Sequence, residues 1–484
     1  MARSTGFILA GVFIAFASEA ARSPAEEINT NISVAGSAPT RLESLGSALL
    51  GRTQVTSSAA GPAAAAQDVA TVLGAARGVS PLICAFAAQA VWGGGWGGWY
   101  DAPSSPVASE MTSRIRDLER EKFGAAEVRL LMDSLASGDP CVRELSVRLL
   151  GRQRDEAVVN GLVERLTARA PELREVAALG LGFVEPKTAV EPLVRALRDA
   201  TPGVRANSAW ALGRIEDGRA LRPIVDLLRD DDARVRDAAA IAIGRLDSLS
   251  SVDALVRVVR EDASPNVRRS AAWALGQLEA RSAVDVLIAV LRQDTDSRVR
   301  EMAAWALGSI ETQAAAPGLI GALRRDSSDA VRETAAWALG NVGDRTAVEI
   351  LGDAVRSDKA SRVRATAAWA LGQLDPKDAP RGLIDGLTDQ DDDVRLKAAW
   401  ALGQIGDSSA VNTIRNALRV EKSERARKAQ IRALLRSGGR SEAILTDLLR
   451  SSDPEVREAA VRGLAGSNGF NPWPWPWPRP RPTP

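Results

Sequence analysis

The sequence predicts an all-α fold, a right-handed α-solenoid of about eleven two-helix repeats over residues 125–466. The first observation behind this prediction is the hexapeptide AAWALG, whose tryptophan recurs every 31 or 32 residues at Trp273, Trp305, Trp337, Trp369 and Trp400. A related copy, SAWALG, contains Trp210. A repeat of this length indicates one supersecondary unit that stacks on copies of itself to bury its apolar face.

The second observation is an arginine, usually preceded by valine, that marks eleven units: Arg143, Arg174, Arg205, Arg236, Arg268, Arg300, Arg332, Arg364, Arg395, Arg427 and Arg457. Each unit holds two apolar segments at helical spacing, for example 282–292 and 298–310. Short linkers rich in Asp, Ser, Thr and Pro separate these segments, as expected between helices. Each unit is therefore predicted to be one helical hairpin.

The motif D-x-x-V-R-x-x-A-x-x-A-L-G resembles the HEAT-like repeat, particularly its short bacterial form named after phycobilisome lyases. The resemblance covers about 125–466 and implies a scaffold fold without implying a chemistry. It also implies a structural ladder between the aspartates and arginines of neighbouring units. Aspartate lies four residues before the arginine in five units, at Asp139, Asp232, Asp296, Asp391 and Asp453. Because Thr201, Ser264 and Ser328 take this position elsewhere, we expect the ladder to be incomplete.

A helical wheel places the repeated tryptophan opposite the expected core. At about 100° per residue, the Val, Ala and Leu after each arginine define one core direction, and the Trp lies on the other side. The residue four positions after the Trp shares this outer face. We therefore expect an exposed row on the concave side, with the partner-binding residues Trp210, Trp273, Trp305, Trp337, Trp369, Trp400, Gln277, Asn341, Gln373 and Gln404.

This row is similar to the concave groove of the armadillo-repeat import receptors, where Trp and Asn four residues apart hold an extended basic peptide. Trp337 and Asn341 match that pattern best. The similarity implies a non-enzymatic scaffold that binds an extended peptide or protein segment. An alternative for the indoles is packing between repeats. Alternatives for the function are a chromophore lyase-like or enzyme accessory protein and an envelope sensor of glycans or other ligands.

The composition excludes several classes of chemistry. The chain has no histidine, which removes His-based acid–base catalysis and His-ligated metals. Lys and Arg number 62 against 61 Asp and Glu, so a general nucleic-acid partner is not expected. We expect no enzyme activity, no cofactor and no metal, and a monomeric chain.

The two ends of the chain differ from the repeats. Residues 1–20 resemble a signal peptide, which predicts export to the periplasm or outside, or a cytoplasmic protein if the start is misassigned. We expect a disordered leader at 21–107, a capping helix at 108–124 and a polyproline II tail at 467–484. Contact of this tail with a membrane and a disulfide between Cys84 and Cys141 remain open alternatives.

Overall fold

A computed structural model describes residues 69–74, 76–78, 122–437 and scattered positions between 446 and 461. Within these residues all regular structure is helical, and twenty α-helices follow one another over 125–437. They form ten consecutive hairpins, each with a first and a second helix. The predicted all-α class is thus confirmed, and the right-handed superhelical twist stays a prediction.

The first helices of the ten hairpins are α1 (Ala125–Ser134), α3 (Glu156–Arg165), α5 (Val190–Ala196), α7 (Leu221–Asp226), α9 (Val252–Glu261), α11 (Val284–Gln293), α13 (Ala316–Arg325), α15 (Val348–Ser357), α17 (Arg381–Asp385) and α19 (Val411–Val420). The second helices are α2 (Pro140–Leu150), α4 (Pro171–Val184), α6 (Pro202–Ile215), α8 (Ala233–Arg245), α10 (Pro265–Gln277), α12 (Ser297–Ile310), α14 (Asp329–Val342), α16 (Ser361–Leu374), α18 (Asp392–Ile405) and α20 (Glu424–Ser437). Short 3₁₀ turns such as Lys187–Ala189 precede most first helices.

Local sequence determines where the second helices begin. Several start with proline at the first helical position, where the missing N–H costs nothing. In others an aspartate caps the helix, because its carboxylate accepts a backbone N–H of the first turn. Four of the aspartates predicted to form the ladder have this capping role instead: Asp139, Asp232, Asp296 and Asp391.

The ladder itself is continuous over eight consecutive arginines, and its acidic partners are not the predicted aspartates four residues before each arginine, so the predicted pairing is wrong. Each guanidinium pairs with an acidic residue 25 or 26 positions further on, just after the next first helix, with Nε to carboxylate distances of 2.7–2.8 Å. The pairs are Arg174–Asp199, Arg205–Asp230, Arg236–Asp262, Arg268–Asp294, Arg300–Asp326, Arg332–Asp358, Arg364–Asp389 and Arg395–Glu421.

A second hydrogen bond joins successive rungs. Nη1 of Arg300 donates to the backbone carbonyl of Asp294, whose carboxylate accepts from Arg268, at 2.9 Å. The same pattern recurs along the ladder, for example from Arg332 to the carbonyl of Asp326 at 3.0 Å. These bidentate, charge-assisted bonds fix the rotation of each hairpin on the next.

The second helices form the more tightly packed layer, because consecutive second helices contact each other more extensively than consecutive first helices do. Alanine and glycine dominate their contact faces, and small side chains let helix axes approach closely. A Cβ added to Gly213 would lie 2.7 Å from Cα of Ala242 in the next second helix. The core is therefore one continuous cluster shared between units.

A short helical segment at 69–74 differs from the predicted disordered leader. Val69, Val72 and Leu73 are buried in the core cluster. The amide of Gly78 donates to Oδ2 of Asp139 at 2.7 Å, and this bond is the main cause of the lowered pKa of that carboxyl. Residues 69–74 of the predicted leader are therefore helical and partly buried, and the bounds 21–107 stay a prediction.

The other predictions for the ends fall mostly on residues outside the described part. This holds for the signal peptide, the tail, the rest of the leader and most of the capping helix, whose last residues 122–124 are not helical. Cys141 is buried and disulfide-bonded, and Cys84 is the other cysteine of the sequence. None of the described helices has the length and apolar character needed to cross a membrane.

Candidate functional site

The repeated tryptophans are buried rather than exposed. The exposed fraction is 8% for Trp210, 8% for Trp273, 1% for Trp305 and 4% for Trp369. Trp337 and Trp400 are half-buried. The prediction of a row of exposed indoles is therefore wrong. The partner-binding role assigned to these residues stays a prediction.

Each indole lies on the glycine that ends the AxxALG-type motif of the preceding second helix. A Cβ added to Gly276 would lie 2.8 Å from Cζ3 of Trp305, and one added to Gly340 would lie 3.0 Å from Cζ3 of Trp369. The same contact joins Gly182–Trp210, Gly244–Trp273, Gly308–Trp337 and Gly372–Trp400. Any larger residue would displace the ring, so the Trp and the Gly of the hexapeptide are two halves of one inter-repeat contact.

The helical wheel failed because it assumed one core direction for each helix. In a stacked layer, a second helix contacts its own first helix and a second helix on either side. Ser270 to Gly276 are accordingly buried without interruption, which no helix with a single buried face allows. The hexapeptide itself carried this signal, since a helix that is small or apolar on all sides is a buried one.

The residue four positions after the tryptophan does reach the surface. Gln277 and Gln373 are exposed, and Asn341 is half-buried. The side chains of these three residues make no hydrogen bond to another described residue. We use the name polar row for the five side chains at this position in consecutive units: Gln277, Ser309, Asn341, Gln373 and Gln404.

The ends of the polar row are more constrained. The amide oxygen of Gln404 accepts from Nη1 of Arg436 at 2.6 Å. Two units before Gln277, the same position holds Arg214, which pairs with Glu185 and stacks over the ring of Trp210 at 5.5 Å. The free amides are therefore Gln277, Asn341 and Gln373, whereas Gln404 at the C-terminal end of the row is hydrogen-bonded and Arg214, before the row, is ion-paired.

A row of carboxylates follows the C-terminal ends of six second helices. Glu185, Glu216, Asp247, Glu279, Glu311 and Asp375 all have left-handed backbone conformations, with φ between 44° and 58°. This conformation favours glycine, and the helix dipole disfavours a negative charge at this end. Gly343 and Gly406 take the same place after α14 and α18. Sequence reasoning missed this row, although all eight residues lie eleven positions after the landmark arginine.

A surface pocket of about 710 Å³ lies where the repeat pattern is interrupted. The unit of α8 has Ile241 in place of the tryptophan and Arg245 in place of the polar-row residue. The pocket is lined by residues of three consecutive units: Glu216, Gly244, Arg245, Asp247, Leu249, Trp273, Gln277, Leu278 and Glu279.

Two further carboxyls on the second helices are electrostatically unusual. Burial raises the pKa of Asp237, although Ser270 donates a hydrogen bond to it at 2.6 Å. Burial and the neighbouring Glu333 raise the pKa of Glu301. Neither residue lines the pocket. Among the described residues no group of three or more Cys, Asp or Glu side chains has the arrangement to hold a metal ion.

Stacked helical hairpins with a shared ladder and a continuous core define this protein as an α-solenoid repeat protein. Residues 128–205, 190–264, 252–334, 316–385 and 380–465 each match the family of HEAT repeats. The chain belongs to this family, as its motif predicted. No curated protein matches the chain.

Several solved structures are similar in fold. A structure of Kap95p binding to RanGDP has 16% identity and a TM-score of 0.51 over 84% of this chain and 66% of that chain. An engineered protein has 24% identity and a TM-score of 0.38 over 70% of this chain and 98% of that chain. The CpcE–CpcF complex of phycocyanin lyase from Nostoc sp. PCC7120 has 23% identity and a TM-score of 0.32, over 51% and 93%. At these identities the similarity shows the fold alone.

Proposed function

We propose that this protein is a non-enzymatic scaffold that holds an extended segment of a partner protein along its polar row. The observation that supports this proposal is the set of free amides at Gln277, Asn341 and Gln373, which make no hydrogen bond to a described residue. An amide offers both a donor and an acceptor, which matches the N–H and C=O groups of a peptide backbone.

The spacing of the row suits an extended segment. Packed helices lie about 8–10 Å apart, so adjacent polar-row residues have roughly that separation. An extended chain advances about 6.6–7 Å for every two residues. Each amide therefore meets a backbone group about every second or third residue of the partner, and small rotations between units absorb the difference.

The tryptophans contribute to this surface in two ways in our proposal. Trp337 and Trp400 are half-buried, so part of each ring is available to a partner side chain. The other four indoles hold consecutive units together and so set the spacing of the amides. This division keeps the predicted partner-binding set, with hydrogen bonding by the residues four positions after each Trp, but limits direct contact of the indoles with the partner to Trp337 and Trp400.

We propose no catalytic role, because the chain lacks histidine and, in the part that the structure describes, the two carboxyls of raised pKa lie outside the pocket. Nothing in the described residues favours a chromophore or glycan ligand over a peptide. We also propose export of a monomeric chain. The disulfide of Cys141 supports export, since disulfides persist in oxidising compartments.

Site-specific photo-crosslinking tests the scaffold proposal. A benzophenone amino acid replaces Asn341 or Gln373 in the full chain, expressed in its native cell, and the adducts are identified by mass spectrometry. Glu349, exposed on the first helix α15, is the matched control position. We expect one protein partner to be captured at both polar-row positions and not at Glu349. Equal or stronger capture of the same partner at Glu349 would place the binding surface on the first-helix layer and contradict the proposal.

A further inference from the structure

The pocket beside α8 is the one place between α6 and α18 where a second helix of the Trp-bearing series lacks its tryptophan. Ile241 is smaller than an indole, and Arg245 projects from the exposed end of the same helix. The two neighbouring units have tryptophan at the position equivalent to Ile241, namely Trp210 and Trp273. Ile241 itself is buried, and the residues of its unit that line the pocket are Gly244, Arg245 and Asp247.

Three consecutive units each contribute one carboxylate to this pocket. Glu216, Asp247 and Glu279 are exposed, and their carboxylates make no hydrogen bond or ion pair to another described residue. Arg245 is the only cationic side chain in the lining. Three negative charges and one positive charge give the lining a net charge of −2.

The groups around Arg245 explain why it does not neutralise the pocket. Burial and the nearby Arg214 lower the pKa of Arg245, against attraction from Glu216 and Glu185. Glu185, however, already forms an ion pair with Arg214. The guanidinium of Arg245 makes no hydrogen bond to a described residue. The three carboxylates therefore stay available to a ligand.

The pocket also has an apolar side. Leu249 is 65% exposed, and no other unit from Arg174 to Arg395 has an apolar side chain of this size at the equivalent turn, where Arg281 and Gln313 are examples. Trp273, although only 8% exposed, is also part of the lining. A ligand that fits must therefore combine an apolar stem with a cationic end, which is the construction of an arginine side chain.

Gln277 connects the pocket to the polar row, because it belongs to both. We propose that the pocket binds one arginine side chain of the partner segment, and this inference rests on the proposed function. The arginine stem packs on Leu249 and Trp273, and its guanidinium donates to the carboxylates. Since planar guanidinium matches carboxylate geometry better than an ammonium does, the pocket selects arginine and fixes the register of the segment on the row.

The test uses N-acetyl-arginine methylamide as a probe, with the citrulline analogue as its uncharged isostere. Saturation-transfer difference NMR on the full chain detects weak binding of either compound. We expect transfer to the side-chain methylenes of the arginine compound to exceed that of the citrulline compound at least about threefold, as for a charge-assisted contact. Similar transfer to both compounds would overturn the proposal.

Variants test whether the NMR signal of the arginine compound comes from this pocket. The triple variant Glu216→Gln/Asp247→Asn/Glu279→Gln and the variant Leu249→Ser should each lose the arginine signal. Glu311→Gln is the matched control, because Glu311 has the same left-handed position in a unit outside the pocket. Circular dichroism verifies that all variants are folded. An unchanged signal in the triple variant, or an equal loss in Glu311→Gln, would contradict the assignment.

This experiment needs no partner protein, so it is independent of the photo-crosslinking. Failure of the arginine probe together with specific capture at Asn341 would refute the pocket and leave the scaffold standing. Arginine binding in the pocket together with capture only at Glu349 would refute the polar row as the binding surface.

Discussion

Two sets of residues, four positions apart on the same helices, have opposite environments. Trp305 is 1% exposed and lies on Gly276 of the preceding unit. Gln277, the residue after that glycine, is exposed and makes no hydrogen bond to a described residue. The comparison teaches that a strict repeat in sequence identifies the contact between units, whereas the more variable position beside it reaches the surface.

The largest effect should come from removing a buried indole. Trp305→Ala is expected to lower the free energy of unfolding by about 3–5 kcal/mol, because a large side chain leaves an unfilled cavity between two helices. Urea denaturation followed by circular dichroism measures this loss. Gln277→Ala is the control, with an expected change within about 0.5 kcal/mol. Similar small changes for both variants would mean that the tryptophan row is not an inter-repeat contact.

Removing one acidic residue of the ladder should have the next largest effect on the free energy of unfolding. Asp326→Asn is expected to cost about 3 kcal/mol at pH 7, because it leaves the largely buried Arg300 without its counter-charge. Urea denaturation at neutral pH measures this cost against the wild type.

The pH dependence follows from the pKa of Asp326. Burial raises this pKa, but hydrogen bonds from Arg300 and the Ser328 amide outweigh burial and hold it below the ordinary value. The stabilisation is therefore fully present above the unfolded pKa of about 3.9 and is lost as the pH falls through the folded pKa. The difference between wild type and variant should narrow over that range, and a difference that widens in acid would contradict the pairing.

Adding a methyl group to the glycine that contacts the indole should have an intermediate effect on the stability of the protein. Gly276→Ala places a Cβ 2.8 Å from both the Trp305 ring and Cα of Ala306, and overpacking of this kind costs about 1–3 kcal/mol. Gly218→Ala is the matched control, since no atom lies within 4 Å of its added Cβ. Thermal denaturation compares the two variants, and a lower melting temperature is expected only for Gly276→Ala.

Most of the fold could be predicted from the sequence, because each unit repeats the same local signals for two helices and their ends. The ladder was expected, but its acidic partners were assigned wrongly because the partner lies just before the next landmark arginine: Asp326 lies 26 residues after Arg300 and six before Arg332. Offsets within one unit could identify only the capping aspartates. The pocket could not be predicted, because its volume depends on how Glu216, Asp247 and Glu279 of three units meet in space.

The smallest predicted change in the free energy of unfolding is a stabilisation. Glu311→Gly should stabilise the protein by about 0.5–1 kcal/mol, since glycine adopts the left-handed conformation without strain and removes a negative charge from a helix C-terminus. The reverse change, Gly343→Glu, should destabilise it by a similar amount. Chemical denaturation of both variants checks the signs. A destabilised Glu311→Gly would show that this carboxylate has a structural role of its own.

Asn341 and Trp337 allow the most direct test, because they lie one turn apart on α14 and differ in contacts: Trp337 packs on Gly308, whereas the side chain of Asn341 makes no hydrogen bond to a described residue. With the partner captured by photo-crosslinking, both affinity and unfolding free energy are measured for Asn341→Ala and Trp337→Ala. We predict that Asn341→Ala weakens binding by about tenfold, the value of one hydrogen bond, with unfolding changed by less than about 0.5 kcal/mol. Trp337→Ala should mainly lower the free energy of unfolding. Loss of binding in Trp337→Ala at unchanged stability, with no effect of Asn341→Ala, would contradict the account and restore the indoles as the binding surface.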